Sequence, residues 1–424
     1  MAWLRRLIVR VQSRVGTSSG AVAKLLSGSL IAQLIVVGVS PILTRIYSPA
    51  ELGTFAAFMA LVGPVALLAT GGYPQAVVLP DVERRTIELV AFVLALITTV
   101  SIATAILVFA SVPLLGSDRE SLRWLYWLPL GVAVAGANAV LVSLANRQSR
   151  YGLIASTSVV RSAAQAVGQV GVGLVAPSAT ALVGVSTLAS AVSNVRLVRN
   201  YIVEVRHQRL TTRGILAAAK DYNRFPKYTL PAGFLSQAHL AGLPLAIGAI
   251  YGASTLGLWS LAQRLLATPL TVLGSAIGDV YFRRATELRR SGGDSLLLYR
   301  RVLVWLSVLS APPFIALAVF APWLFSVVFG PEWEQAGLYA RILIPWLWVR
   351  FLTSPLSRTT LVFERNRLGL WNQAALAMAA LGTVLASWQA DWNFSIFLTV
   401  LSVLQALVYG SLLLVYARVI RVAK

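Results

Sequence analysis

Long apolar stretches alternate with short polar ones along the chain. Runs long enough to cross about 30 Å of hydrocarbon, which takes about 20 residues of helix, recur at roughly 22–45, 53–75, 87–112, 124–145, 153–175, 179–198, 227–250, 255–279, 300–321, 336–361, 368–388 and 394–417. A helix satisfies its own backbone hydrogen bonds in lipid, so the pattern predicts an all-α polytopic membrane protein with twelve transmembrane helices. The longest polar stretch, 199–226, divides the chain into a six-helix lobe over 1–198, a linker, and a second six-helix lobe over 227–424. Before the first span, Leu4, Leu7, Ile8, Val11 and Val15 fall at helical spacing, with Arg6, Arg10 and Arg14 on another face. Residues 3–15 therefore read as an amphipathic helix lying at the membrane surface.

Composition agrees. Hydrophobic residues make up 57% of the chain and charged residues 12%, with a mean hydropathy of +0.75; a soluble domain has about 25% charged residues. The net charge of +21 would suggest a nucleic-acid partner in a soluble chain, but here most cations sit in short loops between spans. Of the 36 lysines and arginines, 29 fall on one side. Four, Arg45, Arg119, Arg123 and Arg341, fall on the other, and three, Arg161, Arg264 and Arg350, lie inside spans. The positive-inside rule then places both termini and the 199–226 linker in the cytoplasm. The cationic loops meet anionic lipid headgroups, and no basic tract interleaved with aromatics is long enough for nucleic acid.

Several kinds of chemistry are excluded. There is no cysteine, which removes disulfides, thiolate metal sites and thiol nucleophiles. Two histidines, His207 and His239, cannot build a metal centre alone, and no cofactor motif is present. The N-terminus lacks a signal-peptide cleavage pattern, its apolar stretch being interrupted by Arg5, Arg6 and Arg10. The outer turns at 176–179, 251–254 and 330–334 are short, whereas a membrane enzyme acting on lipid-linked sugars needs a sizeable loop or domain there.

Charge at bilayer depth is the most informative feature. A buried arginine costs about 2.5–3.5 kcal/mol on insertion scales and persists only with a partner or a wet cavity. No Asp or Glu falls mid-span to pair with Arg161, Arg264 or Arg350; Arg45 lies near the outer end of span 1. Unpaired guanidiniums favour an anion, and their fork suits phosphate oxygens. The structural alternative is that each snorkels or binds backbone carbonyls; Arg341 reads as such an anchor. His239, in span 7, is the candidate for a proton-coupled step, or else a histidine hydrogen-bonded within the bundle. Gln33, Asn138, Gln165, Gln169, Gln237, Gln263, Asn372, Gln373 and Gln405 read mainly as interhelical glue, some of them as binders of sugar hydroxyls. Prolines 41, 64, 231, 244, 269, 312, 313 and 345 are points of flexure, and Trp124, Trp127, Trp323, Trp333 and Trp388 fall at expected interfaces.

A repeat is also visible. Residues 46–55, with Leu52-Gly53-Thr54-Phe55, parallel residues 250–259, with Leu256-Gly257-Leu258-Trp259, at a shift of 204. Equivalent helices keep the same orientation, so the halves read as parallel repeats.

Four segments resemble the polysaccharide transporter, or O-antigen flippase, branch of the MOP superfamily. They are Pro41-Ile-Leu-Thr-Arg-Ile-Tyr-Ser-Pro-Ala-Glu-Leu-Gly53, Tyr222-Asn-Arg-Phe-Pro226, Leu256-Gly-Leu-Trp-Ser-Leu-Ala-Gln-Arg-Leu-Leu-Ala-Thr-Pro269, and Phe329-Gly-Pro-Glu-Trp-Glu-Gln-Ala-Gly337 with Arg341-Ile-Leu after it. The resemblance implies two six-helix lobes forming a V in a bacterial inner membrane, around a cationic cavity lined by spans 1, 2, 7 and 8. It implies export of undecaprenyl-diphosphate-linked oligosaccharide for O-antigen, capsule or exopolysaccharide assembly, in company with a polymerase and other assembly proteins. Arg45 and Arg264 are favoured by it as diphosphate ligands over Arg161 and Arg350. The other readings are a drug or metabolite exporter of the same superfamily, and a membrane enzyme or scaffold of polysaccharide assembly.

Overall fold

A computed structural model of the chain describes residues 18–115, 122–199, 201 and 210–422. The amphipathic helix expected over 3–15 lies outside the described residues, as does the side chain of His239. The elements in order are α1 (Ser18–Ile46), α2 (Pro49–Thr70), α3 (Glu83–Ser111), α4 (Leu128–Arg147), α5 (Tyr151–Gly173), α6 (Ala179–Arg199), α7 (Thr212–Asp221), α8 (Leu230–Arg290), α9 (Ser295–Phe329), α10 (Glu334–Leu356), α11 (Thr359–Val362), α12 (Asn366–Gln389) and α13 (Phe394–Val422). Helix α8 is two helices, 230–251 and 253–290, joined at Gly252, whose φ of 85° breaks the ladder. Counted that way, the described residues hold twelve helical segments of membrane-crossing length and no strand.

Eight helices, α8 counted once, are long and apolar enough by composition to cross a membrane. Helices α5, α10 and α12 are as long but more polar, carrying Arg161 and Gln169, Arg341 and Arg350, and Asn372 respectively. The protein is a multi-pass, all-helical membrane protein.

One expectation needs correction. The second span ends at Thr70, because Gly71 and Gly72 both take positive φ and turn the chain into a short 3-10 helix at Tyr73–Val78. Pro41, Pro64, Pro244, Pro269, Pro312, Pro313 and Pro345 all lie inside helices that continue on both sides of them. Membrane helices tolerate proline because neighbouring helices and local adjustment can satisfy the carbonyls it frees.

The chain divides into two compact units, 1–47 with 57–242, and 48–56 with 243–424. In the first, α1 and α5 run parallel and closely packed, Gly28 against Ala155 and Gly173 against Ile46 and Tyr47. Small residues let the backbones approach, which is how helices associate where lipid is as apolar as they are. The Tyr47 hydroxyl donates to the Gln169 carbonyl at 2.8 Å, and the Gln169 side-chain amide donates to the Leu182 carbonyl at 3.3 Å. Asn138 and Asn194 join α4 to α6 at 2.7 Å. The linker helix α7 packs on α3. There Arg84 and Arg85 hold the buried Glu88 at 3.2 and 3.1 Å, and Arg85 also pairs with Asp221.

In the second unit, α10 packs against α9 and α13. The hairpin from α9 to α10 closes through Gly337, whose α-carbon sits against the backbone of Ala321 and Pro322. Trp333, expected at the membrane interface, is turned inward and is 1% exposed, whereas Trp323 and Trp388 are exposed. The Gln405 amide donates to the Leu376 carbonyl at 3.0 Å, joining α13 to α12. Thus Asn138, Gln169 and Gln405 do act as interhelical glue.

Candidate functional site

Each of the four singled-out arginines sits on a helix. Arg45 lies in the last turn of α1, exposed, where a cation complements the negative end of the helix dipole. Arg161 is half-buried midway along α5, Arg264 is exposed on the second limb of α8, and Arg350 is half-buried on α10. None makes an ion pair with a carboxylate among the described residues. The ion pairs of the described residues instead join Arg84, Arg85, Arg284, Arg289 and Arg358 to Glu88, Asp221, Glu287, Glu364 and Asp279, toward the ends of helices.

Within the first unit, Arg45 and Arg161 are not brought together. The contacts of Gly28 with Ala155 and of Ile46 with Gly173 set α5 in register with α1. That register puts Arg161 level with residue 34, eleven residues before Arg45, or about 16 Å along the axis.

Within the second unit, the second limb of α8 runs parallel to α10. Gly274 meets Ser354, the Arg358 guanidinium contacts Asp279 at 3.2 Å, and Tyr281 and Thr359 share a 2.8 Å hydrogen bond. Between the helices is a small cleft lined by Ala267, Leu270, Thr271, Leu347, Arg350 and Ser354, with Phe351 at its wall. Arg264 precedes Ala267 by three residues and Thr271 by seven, so helical spacing puts it on the same face as the cleft, about two turns from the level of Arg350. The structure therefore gathers Arg264 and Arg350 along one seam. Tyr409 of α13 lies within electrostatic reach of Arg350.

The same two helices carry polar atoms that the sequence did not mark as a group. Gln263 Oε1, Trp259 Nε1 and Trp346 Nε1 are buried and have no hydrogen-bond partner. Trp259 lies four residues before Gln263, and Trp346 four before Arg350, so each pair shares a helix face. By contrast the Trp348 indole donates to Ser310 at 2.9 Å. The available sequence signal was this four-residue spacing of aromatics from Gln263 and Arg350, which reads equally well as core packing.

Arg341 is the anchor that its position suggested, donating to the Val319 carbonyl at 3.0 Å. Among the described residues no three His, Cys, Asp or Glu side chains come together as a metal site.

Comparison with known proteins places the chain in a family. The sequence profile described as polysaccharide biosynthesis protein matches residues 42–337, while no curated protein matches the chain. Among solved structures, the lipid II flippase MurJ in an inward closed conformation is similar at a TM-score of 0.69 and 11% identity, covering 93% of this chain and 86% of that one. An inward-facing multidrug resistance MATE family transporter of the MOP superfamily aligns at 0.66 and 13% identity, over 92% and 94%. A MOP superfamily transporter from Pyrococcus furiosus, described as having a binding pocket of reverse polarity, aligns at 0.56 and 14%, over 95% and 96%. The fold is that of the MOP superfamily, and the chain belongs to the family of polysaccharide biosynthesis proteins.

Proposed function

We propose that this protein is a flippase carrying undecaprenyl-diphosphate-linked oligosaccharide units from the cytoplasmic to the periplasmic leaflet of a bacterial inner membrane by alternating access, for O-antigen, capsule or exopolysaccharide assembly. The observation that carries the reading is the set of arginines in helices of membrane-crossing length without carboxylate partners among the described residues. Each such guanidinium is costly in lipid unless an anion or water meets it. A diphosphate supplies several acceptor oxygens, and arginine meets them with a fixed fork that cannot lose its proton.

On this reading Arg264 and Arg45 are the principal diphosphate ligands, with Arg350 and Arg161 in support. The unpartnered groups of Trp259, Gln263 and Trp346 add donors and an acceptor of the kind that sugar hydroxyls satisfy. His239 is the candidate for proton coupling. No covalent bond changes, so the protein is a transporter and not an enzyme. The family description and the likeness in fold to a lipid II flippase support the same class of passenger. A cationic drug would meet like charge at these arginines.

Replacing Arg264 by Ala is expected to abolish surface polymer while the protein still inserts at normal level, and Arg264→Lys is expected to restore part of it. Normal polymer in the alanine variant would remove Arg264 from the mechanism. The proposed sidedness is tested by reporter insertions, which should report cytoplasm at 291–293 and periplasm at 330–332; the reverse result would overturn it.

A further inference from the structure

The start of α12 and the end of α13 run antiparallel, with Asn372 donating to the Tyr416 hydroxyl at 3.1 Å. Beyond that bond they enclose an open groove of about 730 Å³, lined by Arg365, Leu368 and Trp371 on one side and Val415, Arg418 and Val419 on the other. This volume falls in the range of sites that hold a small molecule, roughly 300–1,000 Å³.

The groove is ordered from rim to depth. Arg365 stands at the outer end, six residues and about 9 Å beyond Trp371. Arg418 lies one turn outward of Val415 and has a stem long enough to reach toward the rim. The rim carboxylate, Glu364, is taken by Arg289 at 3.3 Å. Arg365 and Arg418 are left without an ion pair among the described residues. Deeper, the wall is Leu368 and Val415, while Val419 stands beside Arg418 at the rim, and Trp371 is 71% exposed.

Two unpaired cations above an apolar wall, with an exposed indole beside it, reproduce the order of headgroup over acyl chain. A soluble anion would leave Trp371 and Val415 uncovered, and a zwitterionic lipid would leave the excess positive charge unmet. Basic grooves between membrane helices are a general way of holding anionic headgroups. We propose that an anionic glycerophospholipid of the surrounding leaflet binds here, its phosphate held by Arg365 and Arg418 and an acyl chain laid along Leu368, Val415 and Trp371. The site is separate from the seam of Arg264 and Arg350, and the proposal does not depend on the flippase reading.

The test is native mass spectrometry of the purified full chain, with phosphatidylglycerol and phosphatidylcholine of identical acyl chains in competition. Wild type is expected to retain phosphatidylglycerol preferentially. The double variant Arg365→Ala/Arg418→Ala is expected to lose roughly twenty-five-fold of that preference, about fivefold for each arginine near an anionic surface. Arg300→Ala/Arg301→Ala, which removes two exposed arginines outside the groove, should keep it. If the double variant does not fold, Arg365→Gln and Arg418→Gln singly should each lose about fivefold. No preference in wild type, or full preference in the groove variants, would overturn the proposal. So would a groove variant that binds phosphatidylglycerol normally but loses undecaprenyl phosphate, because the groove would then belong to the prenyl carrier.

Discussion

Gly53 and Gly257 meet backbone to backbone. A β-carbon on Gly53 would overlap the Ala253 carbonyl oxygen, and one on Gly257 would overlap the Pro49 carbonyl oxygen. The two contacts interchange under the shift of 204 residues, so the echo in sequence is a local two-fold of packing in structure. Only glycine allows so close an approach. Alanine at either position must push the helices apart, and Gly53→Ala or Gly257→Ala is expected to lower the apparent melting temperature in detergent by several degrees and to reduce polymer export. Gly38→Ala, where a β-carbon meets nothing within 4 Å, is the control. It should be neutral or stabilising by up to about 1 kcal/mol, the helix-propensity difference between the two residues. A Gly257→Ala protein as stable and active as wild type would show that this contact opens without cost.

Glu88 is the keystone of the linker's attachment. Its carboxylate is buried and held by two arginines, and Arg85 reaches on to the Gly214 carbonyl and to Asp221 at the two ends of α7. Removing Glu88 deletes both of these arginine contacts at once, at a buried carboxylate whose arginine partners are themselves 56% and 30% exposed. The side chain of Asp221 is 55% exposed, and exposed pairs contribute about 0–1 kcal/mol. Glu88→Ala is therefore expected to sensitise the 199–226 linker strongly to limited proteolysis, and Asp221→Asn only slightly. Equal sensitivity in the two variants would refute this ranking.

The sequence carries the architecture because the bilayer imposes it. Lipid demands about 20 apolar residues per crossing, and the spans read from the chain match α1, α6, α12 and α13 to within a few residues, apart from longer extensions at the ends of α1 and α13. It also marks Asn138, Gln169 and Gln405 as polar groups in need of partners. Their partners were not legible: Gln169 and Gln405 bond to the backbone carbonyls of Leu182 and Leu376, and any residue type offers a carbonyl. The inward turn of Trp333 was missed for a similar reason, since a tryptophan beside a short outer turn fits the aromatic belt as well as the core. The depth of Arg161, Arg264 and Arg350 could be read from distance to the span ends. That Arg264 and Arg350 share a seam could not, because it depends on the parallel packing of α8 and α10, which no local pattern encodes.

Tyr47 ties α1 to α5 through a hydroxyl that is buried with its ring 1% exposed. Tyr47→Phe keeps the ring and deletes the donor, leaving the Gln169 carbonyl to its helical bond. The expected loss is about 1 kcal/mol, typical of one net hydrogen bond, seen as a small fall in melting temperature without a change in insertion. A loss as large as that of Tyr47→Ala, which also opens a cavity costing several kcal/mol, would mean that the hydroxyl organises more than one bond.

Trp346 and Trp348 separate packing from ligand recognition on a single helix. The Trp348 indole is satisfied by Ser310, whereas the Trp346 indole is buried without a partner. Replacing either with Phe removes the N–H and similar volume. For Trp348→Phe the loss includes a hydrogen bond and a stranded Ser310 hydroxyl, about 1 kcal/mol beyond the packing cost. For Trp346→Phe no protein hydrogen bond is lost, and an unmet buried donor disappears, so stability should fall less. If the Trp346 donor is met by the passenger during transport, polymer export should nonetheless drop severalfold in Trp346→Phe and stay near normal in Trp348→Phe once protein levels are matched. The measurement is surface polymer per inserted protein alongside thermal unfolding of both purified variants. Export that simply follows stability in the two proteins would assign both indoles to packing and withdraw Trp346 from the binding seam.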